Sequence, residues 1–385
     1  MIQLILSLDY EIFGNGSGDV RRDMIDPTHR LLDICDRYGA KLTIMFEVAE
    51  YWAMKQAEEA GLLGLDYSPT RLIEEQVKSA VTCGHDVQLH LHPWWVGARF
   101  ERGNWLLRPE LRTITDLPNG LGCEADPMSV TGILCKGKRT LERIIRPVHS
   151  RYECLVYRAA MFWGHPSGQL IAGLKRAGML ADSSVVPGLH ETACVPTDYR
   201  DTPSAIGYWW TQADDISQSG PKGEHIVELP VYSRMRPYIC NLKWTKLYAT
   251  IKRHQVEQAN THGHGMMEAR KSVDPFGQIV RKLCMRQPIK YDFCKLSAGD
   301  MTRWLRRAIR CDVECGGPSF TPVVMLGHSK DFWNDRNLEI FLRYVRDNYR
   351  LQVRFSTLGE RTRIIAGRDI HHSLEPTAHK RTHTG

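Results

Sequence analysis

The chain has no run approaching the roughly 20 apolar residues that a membrane-spanning helix needs. Its N-terminus lacks the basic head, long apolar stretch and small-residue cleavage site of a secretory signal, so a cytoplasmic setting is the expectation. Its 11 cysteines are odd in number and never spaced Cys-x-x-Cys. That spacing argues against a disulfide framework or a cysteine zinc cluster and fits reduced thiols. The turn Gly14-Asn15-Gly16-Ser17-Gly18 has neither the Lys-Ser/Thr of a phosphate-binding loop nor the spacing of a dinucleotide fingerprint, leaving a loop near a site. The ending His379-Lys380-Arg381-Thr382-His383-Thr384-Gly385 imitates the close of a zinc finger, but no cysteine pair lies upstream at finger spacing. No nucleic-acid module accompanies the positive charge, so nucleic acid is not an expected partner.

What is present is 385 residues, 42% of them hydrophobic, enough for a large core. Residues 1–365 read as one α/β domain, with irregular insertions near 100–130 and 188–224. Residues 366–385 read as a polar tail expected to be disordered. The formal charge of +7 is concentrated: between Arg234 and Arg310 there are 17 Lys or Arg against 5 Asp or Glu. Such an island is either a solvated helical surface or a patch for a phosphate-bearing or lipid-phosphate partner.

Ile2, Leu4, Ile5, Leu6 and Leu8 predict a buried strand that ends by presenting Asp9 and Glu11 on one face, since side chains at i and i+2 share a face. Two carboxylates in one small volume are costly unless a cation or a proton relieves them. A helix follows from Asp26-Pro27, with Asp as N-cap and Gly39 as stop, then a strand at 41–46 and a helix at 71–82. Asp86 to His92 alternates, with Val87, Leu89 and Leu91 on one side and His90 and His92 on the other, which suits metal ligation by an imidazole pair plus a carboxylate. His85 falls on a different face and reads as structural. Alternating strands and helices indicate parallel α/β architecture. Later strand ends deliver Arg158, Asp182 and His328, with a short helix at 137–145, helices at 169–176 and 337–349, and strands at 226–231 and 351–355. Trp94, Trp95, Trp209 and Trp210 are candidate sugar-stacking surfaces, or loop anchors.

Strand ends carrying Asp9/Glu11, His90/His92, Arg158, Asp182 and His328 in this order resemble the five-motif layout of the polysaccharide deacetylase family, carbohydrate esterase family 4, which includes the nodulation-type chitooligosaccharide deacetylases. The local wording Gly84-His85-Asp86-Val87, Tyr157-Arg158-Ala159, Glu228-Leu229-Pro230-Val231 and Leu326-Gly327-His328 adds to the resemblance. It implies a distorted (β/α)7 barrel with its site at the C-terminal ends of the strands. It also implies a divalent metal, zinc being the expected one, and removal of an acetyl group from an acetamido sugar.

Carried across by position, Asp9 matches the general base, Glu11 and His90 match metal ligands, Arg158 the partner of the base, His328 the catalytic histidine and Asp182 the acid that tunes it. The family places its two acids side by side, whereas Tyr10 intervenes here. Trp94 stands where the second histidine is usual, so His92 has to take that role. The expected function is therefore a metal-dependent N-deacetylase of polysaccharide, lipopolysaccharide or glycoconjugate biosynthesis, acting on a sugar that is free or linked to phosphate or lipid. Hydrolysis of another linear or cyclic amide and a metal-free carbohydrate-binding descendant are the alternatives.

Overall fold

Both faces of the first strand are covered, which is why Ile2–Tyr10 (β1) is buried along its whole length. Leu4, Leu6, Leu8 and Tyr10 join the outer core under the helices, whereas Ile5 belongs to a separate inner cluster with Met45, Val156, Val227, Leu229, Val231, Val324 and Leu326. The computed structural model describes residues 1–237, 286–314, 320–333 and 335–368. The middle of the basic stretch, 238–285, and the polar tail from 369 onward lie outside the described residues.

Chain order is β1, α1 (Asp26–Tyr38), β2 (Leu42–Glu47), α2 (Val48–Glu59), α3 (Pro69–Thr82), β3 (Asp86–Leu91), α4 (Val130–Ile145), β4 (Val156–Ala159), α5 (Gly168–Arg176), β5 (Ala181–Asp182), β6 (Val227–Glu228), α6 (Ala298–Glu314), β7 (Thr321–His328), α7 (Asp335–Asn348), β8 (Val353–Ser356) and α8 (Leu358–Ile365). Short hairpins decorate this frame. Strands β1, β2, β3, β4, β5 and β6 are parallel neighbours in succession, and β7 lies parallel on the other side of β1.

The chain leaving β6 closes the circle. Val231 bridges Val324 in parallel, and Tyr232 donates its backbone N–H to the Val324 carbonyl at 3.0 Å. Seven staves thus form a distorted (β/α)7 barrel whose last seam rests on isolated contacts. Higher along that seam Tyr291 to Phe293 runs beside β7, with Phe293 N donating to Leu326 O. At the N-terminal end β8 pairs with Ile2–Ile5 while β2 pairs with Leu6–Tyr10, so the two share one edge of β1. The start of α8 plugs this end: Leu358 N donates to Thr43 Oγ1 and Gly359 N to Asp86 Oδ2.

Two local expectations shift. A π-helical turn, Arg21–Ile25, leads directly into α1, so Ile25 is the cap and Asp26 already lies in the first turn. α4 begins at Val130 on the Ser129 cap, earlier than the apolar pattern suggested, because the helix is buried over most of its circumference. α2 was not apparent in the sequence for a related reason: its buried residues Val48, Ala49, Tyr51, Ala53, Met54 and Ala57 are spread around the helix rather than forming one stripe. No described helix is long and apolar enough to cross a membrane.

Candidate active site

Strand alternation fixes which side chains enter the barrel. Ser7 and Asp9 continue the inward series begun by Ile5, and register aligns Asp9 with His328 on β7 and Glu47 with His90 on β3. All five segments singled out in the sequence end at the same rim. His85 lies apart from it, taking the Leu42 N–H on Nδ1 and facing Asp36 with Nε2 at 3.2 Å.

Arg158 is fully buried and donates from all three of its nitrogens. Nη1 donates to Asp9 Oδ1 at 2.7 Å, Nη2 to Ser7 Oγ and Ser183 Oγ, and Nε to the Ser183 carbonyl. Burial would raise the Asp9 carboxyl, but Arg158, His90 and His328 together hold it below the usual range. His328 Nε2 lies 3.6 Å from Asp9 Oδ2, and its Nδ1 lies 3.9 Å from Asp331. Burial keeps the His328 ring below its ordinary pKa despite those acids, so it is neutral at rest.

Asp182 is also fully buried. Its oxygens accept from Ser184 N at 2.6 Å and Ser184 Oγ at 2.9 Å, and Ser184 Oγ in turn accepts the Ala159 N–H. Across the sheet its register partner is Glu228. Burial pushes Asp182 up to about 6 and Glu228 well above the carboxylate range. The carboxylates that face His328 are Asp9 and Asp331, while Asp182 orders the Ser183-Ser184 turn that holds Arg158.

Beside this pair sits a buried group of Glu11, Glu47, His90 and His92, whose candidate ligand atoms all lie within 4.8 Å of one another. Glu11 Oε2 is 3.0 Å from His92 Nε2 and 3.6 Å from His90 Nε2. His90 Nδ1 is 2.9 Å from the Arg158 carbonyl, which can only accept, so Nδ1 carries the proton and Nε2 is left free for a ligand role.

Glu47 was missed in the sequence. Its Oε1 accepts the Ala49 and Glu50 amides at the start of α2, which leaves Oε2 buried without a hydrogen bond. Glu50 accepts from Ile12 N and lies behind it.

The charge balance of this group is tight. Burial pushes Glu47 up to about 8, with Glu11 adding like-charge repulsion, and burial likewise pushes Glu50 well above the usual carboxylate range, with Glu47 and Glu11 adding to it. Burial also works to raise Glu11, yet His92, Lys330 and His90 hold it well below the usual range. Lys330 Nζ donates to Glu11 Oε1 at 2.7 Å. Burial lowers His92 to about 3, whereas His90, against its own burial, is raised to about 9 by Asp9, Glu11 and Glu47. A divalent cation held here would favour the ionised carboxylates and neutral imidazoles that burial and like charge disfavour. The orphaned buried oxygens Glu11 Oε2 and Glu47 Oε2, and the oxygen–nitrogen donor set, fit such a cation.

The tryptophans divide. Trp94 stacks on His92 with centroids 4.4 Å apart and donates from Nε1 to the Gly14 carbonyl, tying the glycine-rich loop to the metal-type cluster. Trp95 is buried and meets Trp105 edge-on at 5.1 Å. Trp209 is buried with Nε1 on the Ile216 carbonyl, while Trp210 is partly buried against the inner cluster.

No protein-family model matches the chain, and no curated protein is similar to it. Solved structures similar to it include a chain provisionally described as a polysaccharide deacetylase from Mycobacterium smegmatis, with a TM-score of 0.42 and 14% identity over 95% of this chain and 91% of that one. The Puue allantoinase gives a TM-score of 0.40 and 11% identity over 94% and 89%. A probable polysaccharide deacetylase from Pseudomonas aeruginosa PAO1 gives 0.40 and 12% over 97% and 93%.

Proposed function

We propose that the protein is a metal-dependent amide hydrolase that removes the acetyl group from an acetamido sugar in glycoconjugate biosynthesis. The observation that carries this reading is the meeting of a buried two-histidine, two-carboxylate group with an arginine-held aspartate and a histidine at one barrel rim. Glu11, His90, His92 and Glu47 would hold the ion, zinc by the family resemblance, and when bound it would polarise the amide carbonyl and make the attacking water more acidic.

The remaining roles fall to the protein's own side chains. Asp9 is kept ionised by Arg158, so Oδ2 is available to take a proton from the attacking water. His328 Nε2, 3.6 Å from that oxygen and neutral at rest, is placed to receive this proton and hand it to the leaving nitrogen. Asp331 supports the imidazolium formed in between. Asp182 acts one step removed, through Ser184 and the turn that positions Arg158. Trp94 and Trp210 are the half-buried aromatic faces proposed to meet the sugar.

One observation favours a second reading. Lys330 already places an ammonium on Glu11, and a cation there could serve a metal-free carbohydrate-binding protein of the same fold. Acetate release from a panel of free, nucleotide-linked and lipid-linked acetamido sugars tests the proposal. Turnover lost on chelation supports it; sugar binding with no acetate released from any of them favours the binding protein.

A further inference from the structure

Among the described residues at the barrel mouth, three cations are spent on acids. Arg158 holds Asp9, Lys330 holds Glu11, and Lys295 holds Asp292 at 3.4 Å and Asp331 at 2.6 Å. Lys290 is different. Among the described residues its amine has no hydrogen bond or ion pair, and it rests 4.1 Å over the ring of Phe162.

Backbone pairing explains its direction. Val231 points into the inner cluster, so Ser233, two residues on, faces the same way, and Ser233 is the cross-strand partner of Lys290 in an antiparallel hairpin. Phe162 follows β4 by three residues, and both Met161 and Phe162 adopt left-handed backbone, at φ 51° and 65°. Consecutive bulky residues in that region are costly, of order 1–3 kcal/mol each, and persist mainly at functional sites. Here the strained turn directly after the Arg158 strand turns the face of Phe162 toward the Lys290 amine. Burial lowers that amine to about 8, with Lys295 and Arg158 pushing the same way and Asp292 and Asp9 opposing, so it is within electrostatic reach of the Asp9–Arg158 pair and still charged at neutral pH. A partly buried ammonium that rests on an aromatic face, with no acid of its own, is suited to take one from a ligand.

We infer that Lys290 is the subsite for an anionic group on the substrate, making the preferred substrate an acetamido sugar that carries a phosphate ester or a carboxylate. This rests on the amide-hydrolase reading for the sugar, but not for the anion.

Calorimetric titration of the full-length, metal-loaded protein tests it with four probes: N-acetylglucosamine, N-acetylglucosamine 1-phosphate, an N-acetylated aminouronate and inorganic phosphate. The wild type should bind at least one anionic sugar about 10-fold or more tighter than the neutral one, as a charge-assisted contact gives. The tighter of the two identifies the source of the anion. That ratio should fall to near one in Lys290→Met, which keeps the apolar stem on Phe162, and be retained in Lys290→Arg, with unchanged circular dichroism showing that both variants fold. Phosphate binding that is lost in Lys290→Met, with no sugar bound at all, would uphold the anion subsite and sink the sugar reading. An unchanged ratio in Lys290→Met, or no anion bound by the wild type, overturns the inference.

Discussion

Arg158 and Asp9 meet across the barrel with Nη1 donating to Oδ1 at 2.7 Å, and neither side chain is more than 4% exposed. A carboxylate buried this deeply survives only because the guanidinium answers it. Removing one partner of a buried pair leaves the other uncompensated, at a cost of about 3–5 kcal/mol. Arg158→Met should therefore lower stability by roughly that amount and slow turnover by about 10²–10⁴. The sign of the pH effect follows from the depressed pKa of Asp9. Its contribution to stability is present above the unfolded value and is lost as pH falls through the folded one. In the variant the acid limb of the rate profile should move to higher pH, and an unmoved limb would remove Asp9 as the base.

Protons and metal compete for the same group. Glu47 at about 8 and His90 at about 9 are protonated at pH 7, and both must lose the proton to bind an ion. Metal uptake at pH 7 should release roughly two protons, and affinity should rise with pH until it levels off above about 9. Calorimetry in buffers of different ionisation enthalpy counts them; release of none would contradict the ligand set.

Glu47→Gln isolates one ligand. The amide keeps an oxygen to accept from Ala49 and Glu50, so the start of α2 is preserved while the anionic Oε2 is lost. Metal affinity should drop about 10-fold or more with the melting temperature of the apo protein nearly unchanged. Equal affinity in the two proteins would exclude Glu47.

Trp95 stands next to Trp94 in sequence but belongs to the core, 1% exposed and set against Trp105. Trp95→Ala should cost about 3–5 kcal/mol of stability, measured by denaturant unfolding. A change confined to sugar affinity would return it to the binding surface.

The five strand ends were legible because each joins an apolar run to a charged residue, and their alternation with helices indicated parallel α/β architecture, whereas closure into a (β/α)7 circle was implied only by the family resemblance. Glu47 was not legible, although the same pattern announces it: the strand reading stopped at Phe46, one residue short, and the acid was absorbed into a helix start hidden by its dispersed apolar residues. The partners of Asp182 were beyond reach for a different reason. Glu228 lies 46 residues away, and only the register between β5 and β6 brings the two acids together. Trp94, Trp95, Trp209 and Trp210 look alike in sequence, and packing alone separates the half-buried Trp94 and Trp210 from the buried Trp95 and Trp209. For His328 the sequence named the residue and, through the resemblance, Asp182 as its tuning acid, whereas the carboxylates that face it are Asp9 and Asp331, the latter through the turn after β7.

The most direct measurement is the metal content of the full-length protein purified without a histidine tag, paired with acetate release before and after chelation. One ion per chain is expected, with turnover lost on chelation, regained on adding zinc, and the ion absent from Glu11→Gln. Protein that holds no stoichiometric ion and releases acetate undiminished in chelator would contradict a metal-dependent hydrolase.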